Sequence, residues 1–190
     1  AKTQAVPHQS FSKANAASGP RIVRLGVTDL SFHRATAAVV AIVMQRMGLT
    51  VERQYALHEV NFRRLREGSI DMLAYAWLPF SHGVYKQAVD AVAPTRELGL
   101  HYQPYALWGV PDYVYESEVA SIEDLLNPEV RSRMYPLIQG IGLGAGITRF
   151  SMKIMEEYGL RNAGYEFRTG TQDDCIEAFE ALYRERRWGI

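Results

Sequence analysis

Apolar positions along this chain recur with two periods that take turns, and the alternation predicts strands and helices in succession from Arg21 onward. Arg21 to Val27 alternates and then turns wholly apolar, which predicts a first strand. His33 to Met47 carries Ala37, Val40, Ala41, Met44 and Met47 at helical spacing, with Asp29 or Ser31 as the cap and Gly48 as the stop. Thr50 to Tyr55 alternates again as a second strand. Glu59 to Glu67 predicts a polar helix with Val60, Phe62 and Leu65 inward, ended by Gly68. Ile70 to Trp77 is nearly continuous in apolar residues, as a buried parallel strand is, and Pro79 ends its pairing. A helix over Ser81 to Val89 and extended chain over Val92 to Pro111 follow.

In the second half, Ser121-Ile-Glu-Asp124 opens a short helix in the manner of a capping box, and Asn127-Pro128 breaks it. Tyr135 to Ile141 reads as a strand and leads through Gly142-Leu-Gly144-Ala-Gly146 into a helix from Thr148 to Tyr158, stopped by Gly159. Tyr165 to Arg168 is a short strand, and Thr171 begins a last amphipathic helix with Ile176, Ala178, Phe179 and Leu182 inward. The fold class is therefore α/β, parallel-rich sheets flanked by helices. Right-handed crossovers put the C-terminal ends of parallel strands on one edge, so Asp29 and Trp77 are expected in one crevice. A carboxylate beside an indole suits an organic cation.

Composition narrows the partners. Lys and Arg together number 21 and so do Asp and Glu, which leaves no net field to draw in nucleic acid or an anionic membrane. Small neutral or zwitterionic partners fit better. No apolar run approaches the ~20 residues of a membrane-spanning helix; the longest, Ala35 to Met44, is interrupted by Thr36. A single cysteine, Cys175, excludes an intramolecular disulfide and reads as a small core residue. Residues 1–20 lack hydrophobic periodicity, end on Ser18-Gly19-Pro20 and read as a flexible leader, such as remains after signal-peptide removal.

The candidate chemistry is that of binding. Gly140-x-Gly142-x-x-Ala145, with Glu166 about 20 residues on, fits a loose dinucleotide fingerprint. A second functional reading of the same turn is a set of free backbone N–H groups for a carboxylate or phosphate, and a plain strand-to-helix turn is a third. His33 and Arg34 stand in the first turn of a helix, where cations are unfavourable, which points to an acidic neighbour such as Asp29 or a ligand carboxylate. The remaining histidines, His8, His58, His82 and His101, show no metal-ligand spacing. No nucleophile motif is present, so neither a catalytic residue, a metal nor a cofactor is expected.

Six stretches, in order and at consistent spacing, resemble the periplasmic substrate-binding proteins of ABC importers for glycine betaine, choline and related quaternary amines. They are Leu-Gly-Val-Thr-Asp29, Gly-Ser-Ile-Asp-Met-Leu-Ala-Tyr-Ala-Trp77-Leu-Pro, Trp-Gly-Val-Pro-Asp-Tyr-Val114, Ser-Ile-Glu-Asp-Leu125, Ile141-Gly-Leu-Gly-Ala-Gly146 and Glu-Glu-Tyr-Gly-Leu160. The resemblance implies a two-lobe, type II binding-protein fold that is not an enzyme, with lobe 1 over residues 21–103, lobe 2 over 104–190, and a C-terminal return to lobe 1 missing. It implies an aromatic cage with Trp77 as one wall, Asp29 as the acid near the cation, and Tyr105 or Trp108 supplying an aromatic from lobe 2. With Val27 at one usual wall position, that wall is missing or replaced by Phe32, His33 lies beside it, and Ala106 occupies another usual cage position. Gly144, Ala145, Gly146 and Thr148 are the implied donors to a carboxylate or hydroxyl. The implied setting is a periplasmic monomer that hands a quaternary amine to membrane permease subunits and binds no nucleic acid. A regulator's effector module and a nucleotide-binding enzyme are the competing classes.

Overall fold

The computed structural model describes Gly19 and residues 21–190, so the expected leader over residues 1–20 lies almost wholly outside the described residues. β1 (Ile22–Thr28), α1 (Ser31–Arg46), β2 (Thr50–Ala56), α2 (His58–Arg66) and β3 (Met72–Leu73) form the first unit. Its strands are all parallel in the order β2-β1-β3, with Leu25 facing both Arg53 and Met72 across the ladders. β1 is central, and Leu25, Val27, Ala37, Ala41 and Ala74 make its core. Flanked by strands on both sides and covered by α1, the second half of β1 is wholly buried, which explains the apolar run that ends it.

The third strand departs from expectation. Only Met72 and Leu73 pair with β1, although the apolar run extends from Ile70 to Trp77. Asp71 fixes the start of the strand by accepting from the Arg24 N–H at 2.7 Å and from the Arg24 guanidinium at 2.7 and 3.1 Å. After Leu73 the chain leaves the ladder, and the buried Tyr75 turns its hydroxyl to the Asn61 Nδ2 donor on α2 at 2.9 Å. The apolar run is therefore buried as loop rather than as strand.

α3 (Gly83–Asp90) follows, and residues 94–111 contain neither helix nor strand, in keeping with the extended chain read from the sequence. The second unit contains α4 (Asp112–Tyr115), a 3-10 turn at Glu123–Leu126, α5 (Pro128–Arg133), β4 (Leu137–Gln139), α6 (Gly146–Glu157), β5 (Glu166–Arg168) and α7 (Gln172–Arg184). β4 and β5 pair in parallel. Asn127-Pro128 does not simply break a helix: the Asn127 side chain accepts from the Glu129 N–H at 2.9 Å and Pro128 opens α5, the favoured use of proline at a first helical position. α4 was not foreseen.

Two other expectations are corrected. α1 begins after Leu30 with no side-chain cap, so neither Asp29 nor Ser31 caps it. α7 begins at Thr171 as expected, held by a Thr171–Asp174 capping box, and Leu182 is buried, but Ile176 and Phe179 are 45% and 40% exposed. The second core joins Val114, Leu125, Val130, Met134, Ile138, Met155, Leu160 and Tyr165 to Trp188. Trp188 bridges Met134, its carbonyl accepts from the Tyr135 N–H at 2.7 Å, and the Arg133 guanidinium lies over its ring at 3.4 Å. Trp188→Ala is expected to lower the unfolding free energy by about 3 to 5 kcal/mol in a urea titration. A loss below about 1 kcal/mol would show that the indole is not part of the core.

Candidate functional site

Among the described residues, the C-terminal edge of the first sheet carries a dense group of rings. Parallel pairing brings the ends of β1 and β2 together with the loop that follows β3, and each contributes aromatic or imidazole side chains. Phe32 and His33 come from the first turn of α1, His58 from the first turn of α2, and Tyr75, Trp77 and His82 from the segment after β3. Trp77 packs edge-to-face on Phe32 at 5.9 Å and on His33 at 5.6 Å, and Tyr102 meets Phe32 at 5.4 Å. The Trp77 indole N–H donates to the Tyr102 hydroxyl at 2.5 Å, which ties residues after α3 to the first unit. Rings this close touch one another, so Phe32, Trp77 and Tyr102 make one continuous wall.

A cleft of about 290 Å³ opens beside Trp77. Leu78, Phe80 and Ser81 line it from the first unit, Pro104, Tyr105 and Ala106 from the intervening segment, and Phe150 from α6. Its wall is thus aromatic and drawn from three parts of the chain. Of the residues expected here, Trp77 and Tyr105 line the cleft, while Phe32 backs Trp77.

Trp108 does not line it. The Trp108 indole donates to the Ser151 hydroxyl at 2.8 Å, packs on the second core and borders a separate cavity of about 460 Å³ between β4 and α7. Cys175 borders the same cavity, and burial raises its pKa. Asp29 is exposed and paired with Arg34, whose Nε donates to its carboxylate at 2.6 Å. The acidic neighbour anticipated for the first turn of α1 is therefore real, but its charge is matched within the chain.

The glycine-rich turn is an inter-unit contact. A Cβ on Gly144 would stand 2.0 Å from a Glu59 carboxylate oxygen, and one on Gly146 would stand 2.5 Å from Ser81 Cβ. At Gly146 the neighbour includes the Ser81 backbone, so glycine is required there for the units to approach, whereas at Gly144 the flexible Glu59 side chain could move aside. The Tyr85 hydroxyl donates to the Gly144 carbonyl at 2.8 Å, and Arg149 donates to the Ser81 carbonyl. On the opposite side, Gln172 on α7 accepts from the Ser31 N–H at 2.9 Å and donates to its hydroxyl at 2.8 Å. The Ala145 N–H is bonded to the Gly142 carbonyl, and the buried Thr148 hydroxyl donates to Ile141. The turn is taken up by contacts within the chain, with Glu59 against Gly144 and the Arg149 guanidinium donating to the Gly144 and Ser81 carbonyls, so the dinucleotide reading has no support in the geometry.

Three histidines that the sequence did not connect meet beneath Trp77. His33, His58 and His82 are all buried; the facing Nε2 atoms of His33 and His58 lie 3.3 Å apart, and the His58 and His82 rings are 4.9 Å apart. Burial lowers the pKa of His33 and of His58 to about 4, with His58 acting further on His33. For His58, Glu59 pushes the value back up and Arg149 down. His82 falls to about 3, first through burial and then through the two neighbouring imidazoles. No group of three His, Cys, Asp or Glu among the described residues has metal-binding geometry. The cluster is instead a neutral, apolar-like support for Trp77.

The first unit is built as open α/β folds are, with its cluster of rings at the carboxyl edge of the strands, where such folds hold their ligands. The fold is that of the two-lobe, type II periplasmic binding proteins, as comparison with solved structures shows. A glycine betaine, L-proline ABC transporter binding protein (ProX) from Borrelia burgdorferi is similar with a TM-score of 0.73 at 21% identity, over 88% of this chain and 61% of that one. Lactococcal OpuAC, in a closed form complexed with glycine betaine, is similar at 0.70 and 23% identity over 88% of this chain and 62% of that one. An ABC-transporter choline-binding protein in complex with choline gives 0.63 and 16% identity over 87% and 57%. The chain thus spans about three fifths of these proteins. Residues 21–190 match the OpuAC family, the substrate-binding domain of ABC-type glycine betaine transport systems, and the chain belongs to that family. None of the curated proteins matches it.

The histidine cluster gives a pH prediction. Folded-state values below the ordinary 6.5 mean that the unfolded chain binds more protons, so stability is fully present above about pH 6.5 and is lost as pH falls toward 4 and then 3. Each histidine contributes at most about 1.4 kcal/mol per pH unit in that window. Melting temperatures between pH 7.5 and 4 should fall in the wild type, and His58→Phe should flatten the decline. Parallel declines would show that these imidazoles are not buried neutral.

Proposed function

We propose that this chain is the ligand-capturing part of an extracytoplasmic receptor of an ABC importer, and that it holds a quaternary-ammonium compound of the glycine betaine or choline kind beside Trp77. Residues 21–103 act as lobe 1 and residues 104–190 as lobe 2, and the ligand bridges them. The protein works outside the cytoplasmic membrane as a monomer and delivers its ligand to permease subunits. Nucleic acid has no part in this function. Among the described residues no helix is long and apolar enough to cross a membrane.

One observation carries the reading: the cleft beside Trp77 is walled by Phe80, Tyr105 and Phe150, so rings from both proposed lobes surround one space. An aromatic face attracts a soft cation by about 0.5 to 2 kcal/mol, most strongly where water is excluded. Two or three such faces, with burial of the ligand's methyl groups, reach the ~8 kcal/mol of a micromolar complex. A primary ammonium is better hydrated and cannot bury methyl groups, so the same walls select against it. Because Asp29 is neutralised by Arg34, the attraction comes from the rings and not from that carboxylate. Membership of a glycine betaine-binding family supports the same ligand class.

The test is calorimetry with choline, glycine betaine and lysine on the wild type, Trp77→Ala and Trp77→Phe. The wild type should bind a trimethylammonium compound and not lysine. Trp77→Ala should lose about 30-fold or more in affinity, the loss typical of an aromatic anchor, and Trp77→Phe should lose less. Unchanged affinity in Trp77→Ala would place the ligand elsewhere.

A further inference from the structure

Trp77 stands on a loop, and a wall on a loop holds its angle only if something fixes the backbone. His82 does this from both sides of the residue. Its side-chain Nδ1 accepts from the Trp77 N–H at 2.9 Å, and its own backbone N–H donates to the Trp77 carbonyl at 2.9 Å. The two bonds close the segment from Trp77 to His82 into a ring with Leu78, Pro79, Phe80 and Ser81 inside it. Three of those enclosed residues, Leu78, Phe80 and Ser81, line the cleft themselves. Fixing Trp77 therefore fixes most of the first unit's share of the wall.

The imidazole is itself held. It is 2% exposed, lies 4.9 Å from the His58 ring and 5.4 Å from Phe62, and cannot rotate without moving α2. Accepting at Nδ1 requires the neutral ring with its proton on Nε2. The backbone N–H of Trp77 is thus satisfied by a side chain whose orientation is set by packing. We propose that His82 is a positioning residue for ligand capture: its Nδ1 clasps the Trp77 backbone and sets the angle of the indole toward the cleft. This deepens the proposed quaternary-amine reading and rests on it for the ligand, although the clasp itself is made only of bonds within the chain.

The position of the accepting nitrogen supplies the test. An asparagine amide oxygen reaches about where Nδ1 stands, whereas a glutamine amide reaches toward Nε2. Hydrogen exchange at the Trp77 backbone amide, read by NMR on the wild type, His82→Asn and His82→Gln, reports the clasp without any ligand. Melting temperatures confirm that both variants fold. His82→Asn should keep the Trp77 amide protected and keep choline affinity within about threefold of wild type, whereas His82→Gln should speed exchange and weaken choline binding, each by about tenfold, as loss of one hydrogen bond does. Protection and affinity preserved in His82→Gln but lost in His82→Asn would overturn the proposal, because the outer nitrogen would then be the one that matters. Exchange that is unchanged in both variants would overturn it as well. If the wild type binds neither choline nor glycine betaine while the exchange pattern holds, the clasp stands and the ligand assignment falls.

Discussion

Parallel pairing on both sides of β1 is the constraint from which the rest follows. Strands paired in parallel on both sides of β1 are joined by crossovers, so the loops that leave their carboxyl ends emerge at one edge. That edge receives the first turns of α1 and α2 and the segment after β3 together. Phe32, His33, His58, Tyr75, Trp77 and His82 are scattered over 51 positions of sequence between the first and last of them, yet the topology leaves them nowhere to go but beside one another. The aromatic wall is a result of strand order before it is a result of any single contact.

Burial then decides what each ring can do. Imidazoles packed against each other out of water stay uncharged, so the cluster supports Trp77 without placing a positive charge behind it, as the proposed cation site needs. The orientation of Trp77 is set through its backbone by His82 and through its indole by Tyr102. The glycine-rich turn acts on another scale. By presenting bare backbone at Gly144 and Gly146, it lets the second unit reach Glu59, Ser81 and Tyr85, and it brings α6 with Phe150 up to the cleft.

Much of this was legible in the sequence, and the failures have physical causes. The α/β order, the buried first strand and the edge position of Trp77 follow from periodicity and handedness, which are local or universal. The length of β3 was overestimated because an apolar run reports burial and not pairing, and Ala74 and Tyr75 are buried off the ladder. Asn127-Pro128 reads as a stop by its proline, although the same pair suits a start. The resemblance leaves Tyr105 or Trp108 as the aromatic from lobe 2, because position in an extended segment does not say which unit a side chain faces, and Trp108 faces Ser151. The histidine cluster and Tyr102 left no signal, since their meeting depends on three separate elements and a loop. Phe80 and Phe150 were missed for the same reason.

The central claim is that a trimethylammonium group rests against Trp77 in the cleft shared by the two units. Intermolecular nuclear Overhauser effects between choline N-methyl protons and assigned indole protons measure that contact directly. Strong effects to Trp77 and Tyr105, with none to Trp108, are the result this account predicts. Effects confined to Trp108, or their absence at a choline concentration that saturates binding, would contradict it.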